Sequence, residues 1–193
     1  MKRTSWVILL GLMLIVGWSL VADEASETTA QEAQRIFVGA KQCTVCHNGM
    51  IADVDTTKSA ADVWEESAHA QAYEVLASDE AKAVAKEKGI ENPQEADECL
   101  KCHVTAHGVD EQYLGKKYAP EDGVGCESCH GPGKDYSKMK IKKAIKAGEA
   151  DPASVGLLKP DEKTCLGCHN DESPTYKEFN FSERYEAIKH PVK

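Results

Sequence analysis

The sequence predicts a mainly α-helical fold, with short helices and loops wrapped around bound prosthetic groups instead of an apolar core of the chain's own. Three observations lead there. All eight cysteines fall in four copies of Cys-x-x-Cys-His, at Cys43-Cys46-His47, Cys99-Cys102-His103, Cys126-Cys129-His130 and Cys165-Cys168-His169. Large apolar side chains are scarce, with one tryptophan (Trp64) and three phenylalanines (Phe37, Phe179, Phe181) beyond residue 22. No stretch shows the two-residue alternation of a half-buried strand, while helix-capping signals recur.

Cys-x-x-Cys-His is the attachment signature of a c-type haem: both thiols add to the vinyl groups, and the adjacent histidine reaches the iron as an axial ligand. Eight cysteines would also suffice for two Cys₄ zinc sites or for four disulfides in an exported protein. Neither explains why a histidine follows the second cysteine every time. The reading is therefore four covalently bound haem c groups, with His47, His103, His130 and His169 on the irons. The 171 residues beyond residue 22 leave about 43 per haem. That is one domain by length and little protein to cover four macrocycles, so the porphyrins must be the core. A small multihaem cytochrome c fold is expected, and its stability should collapse without haem.

From the N-terminus, Lys2 and Arg3 precede an apolar run from Trp6 to Ala22, which Asp23 and Glu24 end. Residues 1–22 read as a signal peptide; an uncleaved membrane anchor is the alternative, since 17 residues lie at the lower edge of what spans a bilayer. Residues 23–35 are polar and read as a flexible leader, and residues 36–193 as the tetrahaem domain. The longest gap separates His47 from Cys99. Within it Ser59 and Asp62 form a capping-box pattern, and His69, Ala72, Tyr73 and Leu76 share one face of a helix. Ser78 caps a second helix, Asp79 to Lys88, that Gly89 terminates.

Pro93-Gln94-Glu95 and Pro160-Asp161-Glu162 enter the second and fourth motifs as helix first turns. Glycines flank the third motif (Gly123, Gly125, Gly131, Gly133), implying tight turns and close approach of backbone to haem. Asp135 to Gly148 is a lysine-rich helical stretch, read as a solvated face, with charge balance for haem propionates as the alternative. Tyr176 to Lys189 forms a last helix or an extended run. First cysteines of successive motifs lie 56, 27 and 39 residues apart, which excludes a regular solenoid repeat.

The formal charge is −9. Acidity argues against nucleic acid. It suits docking on basic patches of redox partner proteins, or simply keeps the chain soluble.

Outside the motifs three histidines remain: His69, His107 and His190. Four irons thus have at most three distal histidines within one chain. At least one haem is five-coordinate, takes another ligand, or borrows one from a neighbouring subunit. His69 is the first candidate, because small neighbours let its helix approach a porphyrin. His190, in a charged tail, would be ordered by ligation. His107 follows the proximal His103 by four residues, so both point the same way on a helix and do not span one iron. It suits a neighbouring haem, a proton donor or a propionate contact. Met50 and Met139 are the methionines left beyond residue 22, each an alternative ligand or core filler.

The chain resembles the tetrahaem cytochrome c-554 family from about Phe37 to His190. The resemblance rests on Trp64-x-x-Ser67-Ala68-His69-Ala70, on Gly123-Val124-Gly125-Cys126-Glu127-Ser128-Cys129-His130-Gly131-Pro132-Gly133, and on the order of the motifs. It implies a mostly helical fold with closely packed haem pairs and periplasmic electron transfer. It also implies three bis-histidine haems and an open distal face on the second-motif haem, with His69 and His190 at distal positions. The family's distal histidine for the first haem, after the third motif, has no counterpart here; Met139 lies close to it, giving His47/Met139 as the expected pair. His107 stands where the family has an aromatic residue and would line or close the second haem site.

An electron carrier is the leading functional reading. It needs no acid–base or nucleophilic constellation, and none is evident. A haem enzyme reducing a small nitrogen oxide at an open iron is the second reading. A subunit of an extracellular cytochrome filament, self-assembled through a ligand shared between chains, is the third. Export to the periplasm or beyond is common to all, and membrane contact arises only through an uncleaved N-terminal anchor.

Overall fold

The computed structural model describes residues 35–48 and 58–190. The segment read as a signal peptide, nearly all of the one read as a leader, and Met50 lie outside the described residues. Among those described, eight short α-helices follow one another: α1 (Ala40–His47), α2 (Ala60–Glu65), α3 (Asp79–Glu87), α4 (Asp97–His103), α5 (Cys126–His130), α6 (Met139–Lys146), α7 (Glu162–Leu166) and α8 (Phe181–Ile188). One isolated parallel bridge joins Phe37 to Leu114. The fold is mainly α, and no described helix is long and apolar enough to cross a membrane.

Helix starts follow the capping chemistry. Ser59 Oγ accepts from Asp62 N (3.2 Å) while the Asp62 carboxylate accepts from Ser59 N (2.7 Å), closing the box before α2. Ser78 Oγ accepts from Ala81 N (3.1 Å) at the start of α3, and Gly89 beyond its end takes φ +72°. Asp161 caps α7 by accepting from Thr164 N at 2.9 Å. The second motif departs from expectation: Pro93 lies in a turn, where Asn92 Oδ1 accepts from Gln94 N (3.1 Å), and α4 begins only at Asp97.

The helix expected to carry His69 is not continuous. α2 ends at Glu65, residues 66–73 run as successive turns, and a 3₁₀ turn follows at Glu74–Ala77. Two bonds explain the break. Ser67 Oγ donates to Trp64 O (2.7 Å), and the His69 carbonyl accepts from Val124 N (2.9 Å). The Trp64 indole in turn donates to Val124 O at 2.9 Å. Tertiary pairing with residue 124 thus replaces helical bonds, yet Ala72 and Leu76 are buried as the apolar pattern requires.

The glycines around the third motif permit backbone-on-backbone contact. Gly123 (φ +65°) would place a Cβ 2.7 Å from His69 O, and Gly131 (φ +75°) one 2.6 Å from Gly156 O. The second half of the last expected helix forms as α8, capped by Asn180, while residues 176–180 have no regular secondary structure.

The apolar core among the described residues is Ala40, Ala61, Ala72, Leu76, Ala85 and Val104. Four alanines, one leucine and one valine cannot balance the conformational entropy of ordering the described chain. Polar stitching concentrates at Glu127, which is 3% exposed. Its carboxylate accepts from Val38 N (2.7 Å), Gly39 N (2.8 Å) and Gly133 N (2.6 Å), tying the segment before α1 to the third motif and to the turn that follows it. Burial raises its pKa, and the three amide donors pull it back. Beside it Thr105 Oγ1 accepts from Gly125 N (2.7 Å), and Tyr118 Oη donates to Thr105 O (2.5 Å).

Glu127→Ala would leave two buried amides and one part-buried amide unpaired, at about 1–3 kcal/mol each. Denaturant unfolding of the haem-loaded protein should show a loss of about 3 kcal/mol or more. Amide exchange should accelerate at Val38, Gly39 and Gly133. A variant with wild-type unfolding and exchange would refute this role for Glu127.

Candidate functional site

In each motif the cysteines stand at i and i+3 and the histidine at i+4, so one helical turn carries all three on one side. The first motif occupies the second half of α1, the second closes α4, and the third is the whole of α5. The fourth begins in α7 and runs one turn past it, where His169 N donates to Cys165 O (2.9 Å). All eight cysteines are half-buried free thiols. No group of three or more Cys, His, Asp or Glu among the described residues is arranged to hold a metal ion, so the cysteines do not converge into zinc sites.

The motifs are neighbours in a definite order. Cys43 of the first is hydrogen-bonded to Cys126 of the third; that bond, with burial, raises the Cys43 pKa, and the same bond lowers that of Cys126. Cys129 of the third lies within electrostatic reach of Cys165 of the fourth. Cys168 of the fourth, pushed up to about 12 by burial and then by the Cys102 charge and hydrogen bond, adjoins the second motif. The succession in space is first, third, fourth, second.

The imidazoles are oriented by carbonyl oxygens, which only accept. His103 Nδ1 donates to Ala72 O (2.6 Å) and His130 Nδ1 to Leu158 O (3.1 Å). Each ring therefore keeps Nε2 as its lone-pair nitrogen, the usual outer support of a metal-ligating histidine. Burial is the main cause holding His47, His69, His130 and His169 below the ordinary imidazole value. This favours the neutral, ligating form. For His47 the charges of Lys142, His190 and His130 add to burial.

Two histidines from outside the motifs face motif histidines. The ring centroids of His69 and His169 lie 6.0 Å apart at 67°, and those of His130 and His190 lie 5.8 Å apart at 59°. A metal held between two imidazole nitrogens by bonds of about 2 Å puts the ring centres about 6 Å apart. Phe179 stacks on His169 at 4.7 Å. No ring faces His47 or His103 in this way among the described residues. His107 Nε2 donates to Asp97 Oδ1 (2.9 Å) at the start of α4, so that nitrogen holds its proton and no lone pair. Met139 is 58% exposed.

The donor set fits haem: thiol pairs and imidazoles on single turns, imidazoles paired at the right spacing, and an alanine core that leaves the interior to a large apolar group. The sequence pattern did not single out Glu127, Thr105, or the orienting carbonyls of Ala72 and Leu158. A glutamate between two motif cysteines carries no local sign of being buried.

A family model described as cytochrome c554 and c-prime matches residues 42–131. Cytochrome c-554 of Nitrosomonas europaea is 30% identical over 181 residues, covering 86% of this chain and 73% of that protein. Multiheme cytochrome MtrA of Shewanella baltica is 29% identical over 91 residues, 44% of this chain and 26% of that protein. No solved structure matches. A likeness that runs along most of both chains, on a fold whose interior suits haem, makes this protein a member of the cytochrome c-554 family, a c-type cytochrome with covalently bound haem that exchanges electrons with redox partner proteins.

Proposed function

We propose that the protein is a periplasmic tetrahaem electron carrier, with one haem on each motif. The observation that carries this is the contact order of the motifs, first–third–fourth–second, which lines the four attachment sites into one path. Haem supplies one-electron chemistry at potentials set by axial ligands and burial. The chain's residues hold, orient and cover it. Cys43 and Cys46, Cys99 and Cys102, Cys126 and Cys129, and Cys165 and Cys168 attach the groups. His47, His103, His130 and His169 are the proximal ligands, His190 completes the third-motif site and His69 the fourth. The His103 and His130 Nδ1 bonds fix ring orientation and raise ligand basicity.

Export is supported by the N-terminal charge–apolar pattern of residues 1–22. The net charge of −9 suits a basic docking face on donor and acceptor. A second reading, reduction of a small nitrogen oxide, attaches to the second motif. There His103 has no imidazole opposite it among the described residues, and His107 stands on Asp97.

Electron paramagnetic resonance of the fully oxidised holoprotein tests the ligand set. His69→Ala and His190→Ala should each convert about one low-spin ferric haem per chain to high spin. A spectrum unchanged in either variant would remove that histidine from the set. Replacing Cys126 and Cys129 by serine, which severs attachment at the centre of the contact order, should abolish cooperative unfolding; retained cooperativity would show that the protein core suffices alone. Binding of nitric oxide with turnover would favour the enzyme reading, and binding without turnover the carrier.

A further inference from the structure

Three motif imidazoles have a partner that holds the ring in place, and the partners are not of one kind. Carbonyl oxygens accept from Nδ1 of His103 and of His130. The His169 ring makes no such bond among the described residues. Phe179 lies on it instead, with ring centroids 4.7 Å apart and planes inclined by 21°. That is a face-on contact within the stacking range of aromatic rings. Against the same imidazole His69 stands at 6.0 Å and 67°.

The chain holds Phe179 in that position. It directly precedes Asn180, whose Oδ1 accepts from Glu183 N (3.3 Å) and caps α8. Phe179 is half-buried, while Glu178 and Asn180 on either side of it are exposed. The next aromatic, Phe181, is engaged within α8, where it meets Tyr185 with ring centroids 5.3 Å apart. Of the two phenylalanines around the cap, Phe179 is therefore the one that meets the fourth motif.

We propose that Phe179 is a positioning residue for the fourth-motif haem: it fixes the rotation of the His169 ring, and with it the angle between the two axial imidazoles. This rests on the reading of His69 and His169 as a ligand pair. A ring pressed face-on by a phenyl group cannot turn about its Cβ–Cγ bond without driving an edge into that group. The stack thus does for His169 what a hydrogen-bonded outer partner does for other ligating histidines. The consequence is electronic. Imidazole planes at a large angle act almost equally on the two iron d orbitals of π symmetry, which keeps them close in energy and gives a large principal g value. Parallel planes split the two orbitals and lower it. The exchanged electron occupies one of these orbitals, so the ring angle bears on how this haem couples to its neighbours.

The test uses the full-length, haem-loaded protein, with intact-chain mass confirming four haems in each variant, and reads the resonance spectrum of the oxidised state. His69→Ala marks the fourth-motif haem, because the low-spin component it removes belongs to that iron. Phe179→Leu, apolar but not flat, should shift and broaden that one component and add no high-spin signal. Phe179→Tyr keeps the flat ring and should leave the component at its native position. Phe181→Leu, which alters the aromatic inside α8, should move nothing. A Phe179→Leu spectrum that superimposes on the native one would overturn the assignment, as would a shift confined to components that survive His69→Ala. So would a new high-spin haem in Phe179→Leu, or an equal shift in Phe179→Tyr or Phe181→Leu. If His69→Ala removes no low-spin component, the ligand pair itself falls, and this assignment with it.

Discussion

Two thiols and an imidazole on one helical turn are the constraint on which the rest of this structure depends. Cys-x-x-Cys-His places them at i, i+3 and i+4, so each motif needs only one turn of helix and gains nothing from a longer one. The helices that carry the motifs are accordingly short, five to eight residues. Short helices are marginal by themselves, and the protein core beside them is mostly alanine. What holds such a chain together has to come from outside ordinary side-chain packing, namely from the covalently attached groups and from polar ties between motifs.

Those ties converge on the third motif. Glu127 collects three backbone amides, Thr105 receives Gly125, and Val124 joins the turn at His69. The same segment therefore carries a Cys-x-x-Cys-His motif, anchors the entry to the first motif, and fixes the backbone of the loop that bears His69. Gly123 and Gly131 make this crowding possible, since a side chain at either would run into a carbonyl oxygen.

The electrostatic design is layered. Burial holds the imidazoles of His47, His130 and His169 below their ordinary value, while several carboxylates and lysines meet at the surface in exposed pairs such as Lys101 with Glu172 and Lys138 with Asp135. Exposed pairs contribute little to stability, so the acidic surface bears on encounter with partners more than on the fold.

The sequence by itself determined the cofactor chemistry, the helical class and several helix starts. Each of these depends on local signals: the spacing of the motifs, the Ser59 and Ser78 caps, and the scarcity of large apolar residues. It also brought His69 and His190 forward by counting histidines against irons and through family resemblance. Only the tertiary structure decided which motif histidine each one faces, the spatial order of the motifs, and the break in the helix at Ser67. Those outcomes depend on contacts between residues far apart in the chain, such as Val124 with His69 and Glu127 with Val38. Local periodicity cannot register a hydrogen bond to a partner some 50 residues away or more.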